Sequence, residues 1–224
     1  MSDFWIYFQA AWKFVLDIKG YNHTLFLVAL IAPYAFKDWK SILVLMTTFA
    51  IGETIAMILS VVEVLSVTAN LNKFMIPATL LITAFFNIFT ISKSQKTNTI
   101  KWIALVVLCF GIIHGLLFSN FFKSLVIGKL SDKILPLFEF SVGVQAAQLL
   151  LVVLILIFSY VIQHFFKFSK RDFTLTFSSF VIGVALPVVL KNILLKYLIK
   201  ISQPIIKYNK IHLVKKYKLH LVIL

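Results

Sequence analysis

Long apolar stretches, separated by short polar turns, run along most of this 224-residue chain. About 20 consecutive apolar residues cross the hydrocarbon core of a bilayer as a helix, so each stretch predicts a membrane span. The pattern therefore predicts an all-α fold, a polytopic membrane helix bundle of about six transmembrane helices. The predicted spans cover residues 21–36, 41–64, 74–91, 100–122, 136–166 and 173–195.

Two further segments are amphipathic rather than uniformly apolar. Residues 4–17 combine several aromatic residues with Lys13 and Asp17. This segment is too short and too charged to span, and it predicts a short N-terminal interfacial helix. Residues 200–224 alternate lysines with apolar residues and predict a basic C-terminal tail at the membrane surface. We therefore expect a single membrane domain, residues 1–199, followed by that tail.

Composition supports the membrane assignment and narrows the partners. The chain is 61% hydrophobic, with a mean hydropathy of +0.98, whereas soluble domains are closer to half apolar. Its formal net charge of +14 comes almost entirely from lysines placed between apolar runs or in the tail. That placement is typical of loops that meet an anionic lipid surface. We therefore expect the lipid bilayer, and not nucleic acid, as the partner of these charges.

Several enzyme signatures are missing from the sequence. The chain has no glycine-rich phosphate loop, no nucleophile elbow and no paired-cysteine zinc pattern. The sequence therefore predicts a non-enzymatic protein with no catalytic residue and no permanently bound cofactor.

Polar side chains occur inside four of the predicted spans, where lipid exposure would be costly. They are Asn22 and His23 in the first span, Glu53 in the second, His114 in the fourth, and Gln145 and Gln148 in the fifth. Glu53 follows Lys40, and His114 follows Lys101, by the same 13 residues. At 1.5 Å per residue, both lie roughly 20 Å from one membrane face, whereas Gln145 lies about 15 Å from the other. We therefore expect ligand-type side chains near the middle of the bilayer.

The residues alone leave several chemistries open. Imidazole nitrogen together with carboxylate or amide oxygen suits a divalent ion such as nickel, cobalt or zinc. A buried pair of Glu53 and His114 could instead carry protons, or act as acid and base in an intramembrane enzyme. The same side chains could also hydrogen-bond across helices and simply hold the bundle together. Glu139, close to Pro136, is expected at the membrane interface and outside this set.

Five segments resemble the HupE/UreJ family in their order and spacing. They are GYNHTLFLVAL, KDWK, FAIGETIAM, GIIHGLLFSNFF and LPLFEFSVGVQAAQL. Members of this family are small membrane proteins associated with hydrogenase and urease, and they are regarded as nickel permeases. The resemblance implies transport of nickel, or cobalt, across the inner membrane of a bacterium, with hydrogenase or urease maturation proteins as partners. It also implies metal contacts at the six polar positions: Asn22, His23, Glu53, His114, Gln145 and Gln148.

The chain departs from the family pattern at several of these positions. The family has an Asp-His pair where this chain has Asn22 and His23, and an acid where it has Gln145. The second-span histidine of the family is Glu53 here, which returns one negative charge and loses a nitrogen ligand. These changes remove charge that would offset a divalent cation. They indicate an alternative function, a relative that no longer moves metal and acts as a membrane scaffold or accessory partner.

Overall fold

The computed structural model describes residues 3–17, 20–91 and 97–194, and within them every regular element is a helix. This confirms the predicted all-α membrane bundle. The helices are α1 (Asp3–Leu16), α2 (Tyr21–Ile31), α3 (Trp39–Val61), α4 (Ala69–Thr90), α5 (Thr97–Leu125), α6 (Leu130–Phe165) and α7 (Lys170–Leu194), with a 3₁₀ turn at Phe36–Asp38.

Five helices, α3 to α7, are long and apolar enough to cross a membrane. They coincide with the last five predicted spans to within a few residues at most ends. The pair α1 and α2, bent by more than 40° at a short break, passes the same test as one broken span. By length and composition, the described chain therefore contains five candidate spans, or six if the bent pair crosses as a unit.

The first predicted span was expected to continue to residue 36, but α2 ends at Ile31. Its 11 residues measure about 16 Å at 1.5 Å per residue, roughly half the hydrocarbon thickness. Pro33 explains the early end, because proline has no N–H and its ring would clash with the carbonyl group of Ala29 in a continued helix. α2 alone is therefore too short to span.

α6 begins at Leu130, six residues before the predicted start at Pro136. The backbone N–H of Lys129 donates to the Asp132 carboxylate at 3.2 Å, which satisfies a donor at the helix N-terminus. Gly128 precedes this turn with φ +148°, a conformation that favours glycine. Pro136 therefore lies inside the helix rather than at its first turn.

α3 and α5 are in direct backbone contact along one face. The contact is made through Gly52 on α3 and through Gly111 and Gly115 on α5. A Cβ at Gly111 would overlap the carbonyl oxygen of Phe49, and one at Gly115 would overlap the backbone of Glu53. Side chains are thus excluded from this contact, and the backbones of Glu53 and of the residue following His114 lie side by side.

Hydrogen bonds connect α2, α4 and α7. The Asn87 side-chain amide donates to the carbonyl oxygen of Ala29 at 2.7 Å and to Ser178 Oγ at 3.2 Å. The Thr174 hydroxyl donates to the carbonyl oxygen of Ala32 at 3.0 Å. In a bilayer, such bonds satisfy polar groups that have no access to water.

The chain divides into two compact units, Met1–Leu186 and Pro187–Leu224. The first contains α1 to α6 and most of α7, and it holds all six predicted site residues. Of the second, only the C-terminal turns of α7 are described. The predicted basic tail, residues 200–224, lies outside the described residues.

Candidate functional site

Two histidines from different helices meet inside the bundle. His23 on α2 and His114 on α5 are both buried, and their ring centroids are 5.4 Å apart. Phenylalanine rings surround them: Phe26 lies 4.5 Å from His114, and Phe118 lies 5.0 Å from His23. Phe49 contacts both rings. The pair therefore lies in an aromatic, water-poor environment.

The hydrogen bonding of His114 fixes which of its nitrogens is free. Nδ1 lies 3.0 Å from the carbonyl oxygen of Phe110. A carbonyl oxygen only accepts, so Nδ1 carries the hydrogen, and Nε2 of the neutral ring keeps its lone pair. Nε2 is buried without a hydrogen-bond partner within the described chain. This is the arrangement of a metal-binding histidine whose second nitrogen is held by a backbone carbonyl.

His23 and its neighbour carry further unpaired atoms. Both ring nitrogens of His23 and Oδ1 of Asn22 are buried with no hydrogen-bond partner among the residues the structure describes. Burying a polar group without a partner costs about 1–3 kcal/mol. A neutral His23 ring carries one N–H and one lone pair, so the lone pairs without a partner are those of His114 Nε2, one His23 nitrogen and Asn22 Oδ1.

A second polar cluster joins α3 to α6. The Gln148 amide donates to both Glu53 carboxylate oxygens, at 2.7 and 2.8 Å, and the Gln145 amide donates to one of them at 3.1 Å. Glu53 and Gln148 are fully buried. Oε1 of Gln148 is buried and unpaired within the described part of the chain. Both residues that donate hydrogen bonds to the Glu53 carboxyl group are thus neutral amides.

The structure therefore brings five of the six predicted ligands together as two groups. His23 and His114 form one, Glu53 with the two glutamines forms the other, and Asn22 precedes His23 on α2. The groups are linked where Glu53 packs against Gly115, the residue after His114. Within residues 3–17, 20–91 and 97–194, no three His, Cys, Asp or Glu side chains gather closely enough to hold a metal ion. The joint metal-binding role of the six residues stays a prediction.

Two features of this region were not predicted. The phenylalanine enclosure of the histidines could not be singled out, because Phe recurs throughout the chain. Glu139 was expected at the interface, but only 5% of it is exposed, and Oε2 has no partner in the described residues. Its burial could have been inferred from Gly143, four residues later on the same helix face, which packs against α1.

One of three comparisons with known proteins finds a match. No curated protein and no solved structure matches the chain. A model of the family described as HupE / UreJ protein matches residues 2–192, which includes every residue of both polar clusters. The chain therefore belongs to the HupE/UreJ family.

Proposed function

We propose that this protein moves a divalent transition-metal ion, nickel or cobalt, across the inner membrane of a bacterium. The observation that carries the proposal is the pair of buried imidazoles, His23 and His114, whose rings are adjacent and whose nitrogens include three without a partner in the described chain. A bound cation would accept the lone pairs of His114 Nε2 and of one His23 nitrogen, for which the described chain supplies no partner.

The chemistry of the pair suits such an ion. Neutral imidazole nitrogen is a preferred ligand of nickel, cobalt and zinc. The Nδ1–H bond to Phe110 orients the His114 ring and leaves Nε2 as the ligand atom. Oδ1 of Asn22, the residue before His23, could add an oxygen ligand as the ion arrives.

Charge compensation comes from the neighbouring cluster. A divalent ion in a low-dielectric environment needs negative charge close by. Glu53 is fully buried on α3, and α3 is in backbone contact with α5, the helix that carries His114. Gln145 and Gln148 hold its carboxylate in place and could offer amide oxygens to an ion that moves past the histidines. The two clusters would act in sequence along one path.

The test is nickel and cobalt uptake into proteoliposomes or metal-starved cells. We expect saturable uptake by the native protein and at least a tenfold loss in both His114→Ala and His23→Ala. The matched control is His164→Ala, which removes an exposed histidine at the end of α6 and is expected to leave uptake unchanged. Unchanged uptake in the double variant of His23 and His114, at equal protein level, would refute the proposal.

An accessory role without transport is the second candidate. It is favoured by the Glu53 cluster, since both carboxylate oxygens already accept amide hydrogen bonds and act as a tie between α3 and α6. In this case the protein would hold hydrogenase or urease maturation partners at the membrane. Absence of metal flux in the native protein, with co-purification of those partners retained in His114→Ala, would favour this role over transport.

A further inference from the structure

A cleft opens between the C-terminal end of α2, α4 and the first half of α5. Its volume is about 370 Å³, and it is open on one side. The walls are almost entirely apolar and include Leu30, Ile82, Phe86, Trp102, Val106 and Phe110. Ligand-binding cavities in proteins have volumes in this range.

The two most polar wall residues are already bonded to the protein. The Thr83 hydroxyl donates to the carbonyl oxygen of Thr79 at 2.8 Å, and the Asn87 amide donates to the carbonyl oxygen of Ala29 at 2.7 Å. The cleft therefore presents hydrocarbon to an occupant, which excludes an ion or a polar solute as its natural ligand.

The residues that line the cleft extend from the C-terminal ends of α2 and α4 toward the middle of α5. Tyr34 and Trp102 line the cleft close in sequence to the charged residues Lys37 and Lys101, and aromatic residues of this type are enriched at the headgroup level of a bilayer. Phe110 lies eight residues farther along α5, about 12 Å deeper at 1.5 Å per residue. The lining residues on α5 thus follow the helix direction, along which a lipid chain would extend beside a membrane-spanning helix.

Positive charge is concentrated at the same end of the bundle. Lys101 is exposed on α5 directly before Trp102. Lys37 and Lys40 are exposed at the turn that joins α2 to α3, a few residues after Tyr34. An anionic phosphate group at the Trp102 end of the cleft would be attracted by these ammonium groups.

We infer that this cleft binds one acyl chain of an anionic phospholipid. The chain lies along α5 with its end toward Phe110, and its phosphate group lies beside Lys101 and the α2–α3 turn. Phe110 also provides the carbonyl group that holds His114, so the bound chain is in contact with the residue that orients the histidine. The inference concerns the cleft alone and stands apart from metal transport.

The first experiment is native mass spectrometry of the full chain, delipidated in detergent and titrated with phosphatidylglycerol or with phosphatidylcholine of the same chains. We expect one phosphatidylglycerol to be retained by the native protein and lost in Val106→Trp, which fills the cleft. The matched control is Leu105→Trp, the same change one residue earlier, at a half-exposed position outside the cleft. Equal retention by native protein and Val106→Trp overturns the inference.

The second experiment locates the lipid and tests the charge. Phosphatidylglycerol with a diazirine in its acyl chain is expected to label Ile82, Phe86 and Val106 after illumination. Labelling spread evenly over the lipid-exposed side chains of α6, or crosslinks between two protein chains at the cleft, would overturn the inference. Lys101→Gln should reduce the preference for phosphatidylglycerol over phosphatidylcholine. Equal retention of the two lipids by the native protein would overturn the inference that the bound lipid has an anionic headgroup.

Discussion

The close contact between α3 and α5 predicts a large penalty for the smallest addition to Gly111. In Gly111→Ala, the new Cβ would lie 3.2 Å from both Cα of Gly52 and the carbonyl carbon of Phe49, and closer still to the Phe49 oxygen. The optimal distance between two non-bonded carbon atoms is about 3.5–4.0 Å. All three are backbone atoms that cannot rotate away, so the helices have to separate.

The magnitude follows from two opposing effects. Overpacking costs about 1–3 kcal/mol, and a backbone obstacle places Gly111→Ala near the upper end of that range. Alanine gains about 1 kcal/mol over glycine within a helix, which leaves a net loss of about 2 kcal/mol. Gly183→Ala in α7 is the control, because its Cβ would meet no atom of the described chain within 4 Å. That variant should be more stable than the native protein, by up to about 1 kcal/mol.

The measurement is reversible unfolding in mixed micelles, followed by helical circular dichroism. The two alanine variants should differ by about 3 kcal/mol, which is more than a hundredfold in the unfolding equilibrium constant. If Gly111→Ala and Gly183→Ala are equally stable, the claim that close backbone contact between α3 and α5 stabilises the bundle at the site is refuted.

Two further predictions concern the polar ties of the bundle. Glu53→Ala leaves the amides of Gln145 and Gln148 without their acceptor, so the free energy of unfolding should fall by about 2–4 kcal/mol. Glu53→Gln keeps an acceptor oxygen, and its free energy of unfolding should fall by about half as much. Unchanged stability of the alanine variant in the same micelles would contradict this. Lys170→Met removes the ion pair between Lys170 and Asp38, in which Nζ and Oδ2 are 3.0 Å apart. The side chain of Lys170 is 39% exposed and that of Asp38 is 28% exposed. The loss of stability should stay below about 1 kcal/mol and disappear in about 1 M salt, and a larger, salt-independent loss would count against this reasoning.

Much of the fold could be predicted because crossing a bilayer requires only length and apolarity. Five spans were located from hydropathy alone, since an uninterrupted apolar stretch carries that signal regardless of tertiary contacts. The ends of helices are decided by single residues, and there the prediction was weaker. Pro33 ends α2 early, whereas Pro136 is accommodated inside α6, and apolar composition does not distinguish these two outcomes.

The sequence predicted which residues form the candidate site, but not which side chains contact each other. Equal depth along their helices indicated that Glu53 and His114 would lie at one level of the bundle. Which side chains face each other depends on the rotation of each helix about its axis. That rotation is determined here by the contact between Gly52 and Gly111, which places the Glu53 carboxylate against the glutamines of α6. A single sequence shows the glycines and does not show what packs against them.

The glycine contact between α3 and α5 also limits how the interior can move. Backbones that touch directly have no intervening layer of side chains that could change rotamer, so the two helices have to travel as one rigid body. The spacing between Glu53 and His114 is then nearly constant throughout any motion of the protein. His23 belongs to a short helix joined to its neighbours by breaks at both ends. Apart from rotation of the histidine side chains, a change in the distance between the two imidazoles therefore requires a displacement of α2 relative to α3 and α5.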